Sequence, residues 1–257
     1  MQYQFTDTDL ATQRLEYLAG VYAQSSREFI LGAVRDRPPL VLDLGCGPGY
    51  TTHLLAECTS NCLVVGLDNS ERFLSVAKEG ETDRVSFCLH DVTSVPFPVR
   101  PASLLFCRYL LTHLEKPLRV VEKWGTQLQR HGLLLMEEVE WIRTGNGVFA
   151  AYLKIVEAML AAQSTCLYAG PVLDGLAHTN ELKRRSSRVK RLPVLNHQAA
   201  TMFHLNIQSW KHQSFIRENY DGESISELER DLKALSVNEG SAGEIEWGLR
   251  QLVFERL

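Results

Sequence analysis

The sequence predicts an α/β protein built on a doubly wound, mostly parallel sheet. Three observations carry that prediction. Short apolar runs alternate with stretches of helical spacing from about residue 10 to residue 140. The first such run, residues 40–44, ends in a loop with glycines at 45, 47 and 49. A helix-like stretch from Tyr50 follows at once, and strands joined through helices run parallel, because the chain returns by a crossover.

Each element has its own signal. Residues 10–34 show helical spacing at Leu15, Leu18, Val21, Tyr22, Phe29 and Ile30, with a break expected near Gln24–Ser26. Pro38 and Pro39 end that helix, and Leu40–Leu44 is the first core strand. Thr51–Glu57 reads as a helix and Cys62–Leu67 as the second strand. Asn69 or Ser70 caps the helix 71–79. Residues 85–90 and 102–107 are the third and fourth strands, followed by a helix that Pro117 interrupts or restarts and that reaches Gln129. Residues 132–138 are the fifth strand. The second half is less regular. Helices are expected over 148–162, 171–182, 198–219 and 225–235, with strands over 186–194 and 244–255. No internal repeat, low-complexity tract or linker interrupts the 257 residues.

Composition narrows the function. Hydrophobic residues make up 45% and charged residues 23%, as in ordinary soluble globular proteins. The net charge of −4 offers no broad positive field for duplex nucleic acid. The basic cluster of Lys183, Arg184, Arg185, Arg188, Lys190 and Arg191 reads as the solvated face of a loop and edge strand. No apolar run approaches the roughly 18 residues of a membrane helix, and the polar, acidic start is not a signal peptide. None of the six cysteines forms a C-x-x-C pair, so zinc is not expected. Free thiols suit a reducing, cytoplasmic setting.

The glycine loop is the most specific signal. A dinucleotide site wants G-x-G-x-x-G, but the third glycine would fall at position 50, where Tyr50 stands. The loop instead reads G-x-G-x-G behind an acid, Asp43. An acid there repels a pyrophosphate and suits a ligand with a cationic amino-acid end. The run Leu42-Asp43-Leu44-Gly45-Cys46-Gly47-Pro48-Gly49 resembles motif I of the class I S-adenosylmethionine (SAM)-dependent methyltransferases.

That resemblance implies a Rossmann-like methyltransferase sheet of seven strands, the last antiparallel, with a helical cap. It divides one methyltransferase domain into an N-terminal helical lid (1–36), a SAM-binding core (37–144), a cap (145–182 and 197–240) and closing strands (183–196 and 241–257). It assigns SAM contacts to Asp43, Gly45, Cys46, Gly47 and Gly49. Asp68, at the end of the second strand and nineteen residues beyond Gly49, would take the ribose hydroxyls, with Asn69 beside it; a helix N-cap is the competing role. Asp91 would take the adenine amino group and the Val92 backbone a ring nitrogen; a loop-capping acid is the competing role for Asp91. A carbonyl near Cys107 and Arg108 would hold the SAM amino group. In the lid, Arg14, Tyr17, Tyr22 and Gln24 stand where related chains close over SAM, and Tyr22 is the expected contact. Core packing is the alternative for these side chains.

Candidate catalytic residues are His113 and the pair Glu137 and Glu138. The unperturbed pKa of a histidine is near neutral, so His113 can orient substrate or accept a proton; a packed histidine completing helix–helix hydrogen bonds is the alternative. Adjacent strand residues face opposite ways, so one glutamate at most reaches the crevice. Phe203, His204, Trp210, His212 and Phe215 either line a substrate pocket or pack the cap. The implied reaction is transfer of a methyl group from SAM to a small-molecule acceptor, with no metal. A nucleic-acid methyltransferase and a non-catalytic SAM-binding module are the alternatives. A nicotinamide-dependent reductase fails at Tyr50.

Overall fold

The computed structural model describes residues 9–34, 38–238 and 243–257. The start of the expected lid and residues 239–242 lie outside them. The described residues form a seven-stranded sheet interleaved with helices. The chain runs α1 (Asp9–Ala33), β1 (Leu40–Leu44), α2 (Tyr50–Cys58), β2 (Leu63–Asp68), α3 (Glu71–Lys78), β3 (Val85–Leu89) and β4 (Ala102–Arg108). It continues through α4 (Pro117–Gly125), β5 (Leu128–Arg143), α5 (Gly147–Ala161) and α6 (Ala169–Asp174). It closes with β6 (Leu182–Leu195), α7 (Asn196–Trp210), α8 (Ser214–Asn219), α9 (Gly222–Ser236) and β7 (Glu244–Arg256).

The strand order is β3-β2-β1-β4-β5-β7-β6. Strand β7 runs antiparallel to both its neighbours, and the β1–β5 pairings are parallel. The chain winds outward from β1 to β3, then restarts at β4 on the other side of β1. That reversal opens a crevice at the carboxyl ends of β1 and β4, where ligands bind in open α/β sheets.

Three apolar clusters hold these layers. Phe29 and Ile30 of α1, Leu54 and Leu55 of α2 and Leu74 of α3 cover one sheet face. Val120, Val121 and Trp124 of α4 cover the other with Leu173 of α6. The third cluster stands beyond the sheet, where β5 and β7 extend past it under α5, α7 and α9.

Several boundaries depart from expectation. Helix α1 is continuous through Ser25 and Ser26, because both hydroxyls find buried partners in tertiary contacts. Helix α4 stops at Gly125, and β5 starts at Leu128 and runs sixteen residues. The helix expected over 171–182 is one short helix, α6, because β6 begins at Leu182. The helix expected over 198–219 is two, α7 and α8, divided after Trp210. Ser70, not Asn69, caps α3: its side chain accepts from the Phe73 N–H. The basic cluster lies on β6, which is the edge strand.

Candidate functional site: two cavities sharing one wall

The first cavity lies over the glycine loop and measures about 170 Å³. Gly45, Gly47 and Gly49 all have positive φ, which L side chains adopt only under strain. A Cβ on Gly49 would also meet the Phe87 ring at 2.8 Å. The loop is tied to β2 at both levels. The Gly45 and Cys46 N–H groups donate to the Leu67 carbonyl. The Gly47 N–H donates to Asp68 Oδ2 at 2.8 Å, and the Ser70 N–H donates to Asp68 Oδ1 at 2.9 Å. Asp68 therefore holds the loop and opens α3 while facing the cavity.

Gly45, Cys46, Gly47, Asp68, Asn69, Asp91, Val92 and Arg108 all line this cavity. The Asp91 carboxylate accepts from the Thr93 N–H and hydroxyl, and those bonds help hold it below the usual carboxylate range against its partial burial. Arg14, Leu15, Leu18 and Ala19 of α1 close the cavity from above.

Four expected cofactor contacts sit elsewhere. Gly49 is the N-cap of α2, packed beside Phe87 and off the cavity wall. Asp43 is buried beneath the loop, where it accepts the Thr52 hydroxyl at 2.7 Å. Burial pushes its pKa up to about 7. Cys107 points into the core under α4, away from the cavity. Tyr22 is buried too and faces the second cavity instead.

Neither glutamate lines either cavity. The two do face opposite ways, but both directions are closed. Glu137 turns under α1, where it accepts Ser26 Oγ at 2.5 Å and Gln251 Nε2 at 2.6 Å. Arg108 Nη1 donates to the same Ser26 hydroxyl at 2.9 Å, and its Nη2 to Thr51 Oγ1 at 3.1 Å. Glu137 thus serves as a buried anchor for a polar chain ending at the cavity. Glu138 turns under the β4 exit, and its Oε1 accepts the Leu110 and Leu111 N–H groups at 2.9 and 2.8 Å. Burial pushes its pKa up to about 8, with Glu137 adding to the rise.

The second cavity, about 120 Å³, lies beside the first. Tyr22, Tyr152, Phe203 and Trp247 give it aromatic walls; Val139 and Val156 fill between them. Tyr152 and Phe203 stack with centroids 4.1 Å apart. Of the late aromatic and histidine set, Phe203 alone lines this cavity; Trp210 is core, and His204, His212 and Phe215 border neither cavity. Arg14, Leu18, Tyr109 and His113 line both cavities and form their common wall. Burial and the nearby Arg14 charge lower the His113 pKa to about 3, so its imidazole is neutral.

Tyr109 belongs to this junction although sequence reasoning gives it no role. It holds φ of 54°, a conformation costly for an aromatic residue. The turn after β4 imposes that conformation, and no local pattern records it.

Comparison with known proteins identifies the family and the fold. The sequence model of a methyltransferase domain family matches residues 40–212, from the first core strand into the helices over the second cavity. The chain belongs to this methyltransferase domain family. A trans-aconitate 2-methyltransferase of Variovorax paradoxus is 46% identical over 97 residues, covering 38% of this chain and 37% of that protein. The match to such curated relatives thus spans well under half their length. A candidate methyltransferase structure from Bacillus halodurans C-125 overlays this family member with a TM-score of 0.56 at 19% identity, covering 89% and 96% of the two chains. Coclaurine N-methyltransferase, solved with N-methylheliamine and S-adenosylhomocysteine (SAH), overlays with a TM-score of 0.51 at 16% identity, covering 93% and 71%. These overlays show the fold. Among the described residues of this methyltransferase-family chain no cluster of metal-binding side chains occurs, and no helix is long and apolar enough to cross a membrane.

Proposed function

We propose that this chain is an enzyme that binds SAM in the first cavity and methylates a small-molecule acceptor held in the second. One observation carries the reading: the two cavities meet at a common wall of Arg14, Leu18, Tyr109 and His113. A methyl donor and its acceptor need such a junction, because displacement requires the reacting atoms in line and about 3–3.5 Å apart.

The first cavity suits SAM on its own chemistry. The left-handed glycines let the backbone approach a ligand. Asp68 offers carboxylate oxygens to ribose hydroxyls, as Asp91 does to the adenine amino group, with Val92 and Phe73 against the ring. Asp43 would act one layer deeper, by fixing the loop through Thr52. SAM would supply the methyl group as a sulfonium electrophile whose leaving electron pair stays on sulfur. The protein would orient the acceptor and exclude water.

Helix α1 serves as lid, and α5 and α7 as the acceptor cap. A small apolar second cavity and a net charge of −4 favour a small molecule over nucleic acid. With its pKa lowered to about 3, His113 is a weak base and suits orientation of the acceptor more than proton removal. The free cysteines suit work in a reducing cytoplasm, without a membrane partner.

Titration calorimetry with SAH tests the cofactor half. Saturable binding that NAD does not compete is expected. Absence of SAH binding would overturn the reading. Conversion of SAM to SAH on addition of an acceptor separates an enzyme from a binding module.

A further inference from the structure

The lining of the second cavity restricts which acceptor fits, and this restriction rests on the proposed function, in which SAM fills the first. The body of the cavity is apolar, and the stacked Tyr152–Phe203 pair with Trp247 beside it makes an aromatic box. About 120 Å³ is close to one aromatic ring, since an engineered cavity of about 150 Å³ takes benzene. Among the described residues no carboxylate lines it. One permanent cation does: Arg14, buried, in the common wall where the methyl must arrive. The Arg14 guanidinium offers N–H donors and no acceptor, and His113 beside it stays neutral.

We propose that the acceptor is a ring-sized apolar molecule with a single anionic oxygen, and that this oxygen lies against Arg14 at the common wall. Charge and size select it together. An anionic oxygen meets a guanidinium through charge-assisted hydrogen bonds, which a neutral acceptor makes weakly and a cationic one replaces by repulsion. A polycarboxylate brings further charges that must enter an aromatic box whose described lining holds no second cation, and a buried charge without a partner is costly. An anionic oxygen also has no proton to lose, which fits a junction without a carboxylate base.

The test is calorimetry on the SAH-loaded protein with benzoate, benzyl alcohol, benzylamine and trans-aconitate as probes. SAH binding is measured first, so its loss reports on the proposed function and not on acceptor choice. Benzoate is expected to bind at least about tenfold tighter than each of the other three. In Arg14→Gln the preference for benzoate over benzyl alcohol should fall to about threefold or less. Val156→Phe, which narrows the box without touching Arg14, should weaken benzoate and benzyl alcohol alike. The inference is overturned by equal binding of benzoate and benzyl alcohol, by tighter binding of trans-aconitate or benzylamine, or by no saturation with benzoate. An Arg14→Gln variant that weakens SAH alone would assign the cation to the cofactor and overturn it as well.

Discussion

The two cavities are built in opposite ways. The first is assembled from backbone turns at the ends of β1, β2, β3 and β4, with acids at strand ends and glycines between them. The second is assembled from side chains of α1, β5, α5, α7 and β7, whose members Tyr22 and Trp247 lie more than two hundred residues apart. Local strand–loop–helix units make the first, so one short stretch carries most of its chemistry. Long-range packing makes the second, so no stretch announces it. Under the proposed function the contrast is a division of labour: the sheet edge would hold the methyl donor, and the cap would select the acceptor.

Filling the second cavity should separate the two most sharply. Val156→Trp puts an indole into the aromatic box, and turnover of the acceptor should fall by at least about 100-fold with SAH affinity within about threefold. Steady-state kinetics beside calorimetry reads both. A parallel loss of SAH binding would show that the cavities are not independent.

Breaking the first cavity comes next. Asp68→Ala removes the acceptor of the Gly47 and Ser70 N–H bonds along with a carboxylate that faces the first cavity. SAH binding should weaken by about 1–3 kcal/mol, the usual cost of losing such bonds. Wild-type affinity in that variant would remove Asp68 from the ribose role.

A third prediction concerns the floor beneath both cavities. Glu138 has a folded pKa of about 8 against an ordinary 4.5. Between those values the folded state holds the proton that the unfolded chain has released. Stability therefore falls as pH rises from about 4.5 to about 8. Asp43 contributes with the same sign up to about pH 7. His113 has the opposite sign, because its depressed pKa makes stability rise from about pH 3 to 6.5. Glu138→Gln should remove the first of these slopes. Urea midpoints for variant and wild type should thus diverge in the variant's favour from pH 5 to pH 8, and parallel profiles would refute the buried acid.

The smallest effect is expected at the junction. With a pKa near 3, His113 is a weak base at neutral pH. His113→Gln should lower kcat by less than about tenfold and leave the pH–rate profile free of a His113 limb near 6.5. A limb near that value that disappears in the variant would restore His113 as a base.

Much of the first cavity was legible in residues 40–49, because glycine spacing and a strand-end acid constrain backbone geometry directly. Asp68 followed from the strand–helix–strand rhythm, which returns each strand end to one edge, and Asp91 from the family resemblance. The strand-five glutamates show where legibility ended. Alternation correctly sent them to opposite faces, but whether a face is open depends on what covers it, and α1 and the β4 exit turn cover both. Tyr22 is the same case: helical spacing put it on the inner side of α1, while the course of β5 and β7 decided which cavity that side meets.

The sequence by itself determined the alternating α/β order, the glycine loop and the acids that line it, because local backbone geometry and periodicity are properties of neighbouring residues. The tertiary structure alone decided the second cavity, the burial of Glu137 and Glu138 and the common wall at Arg14 and His113. Those depend on contacts between segments far apart in the chain, where packing density and desolvation select the arrangement and no local pattern records it.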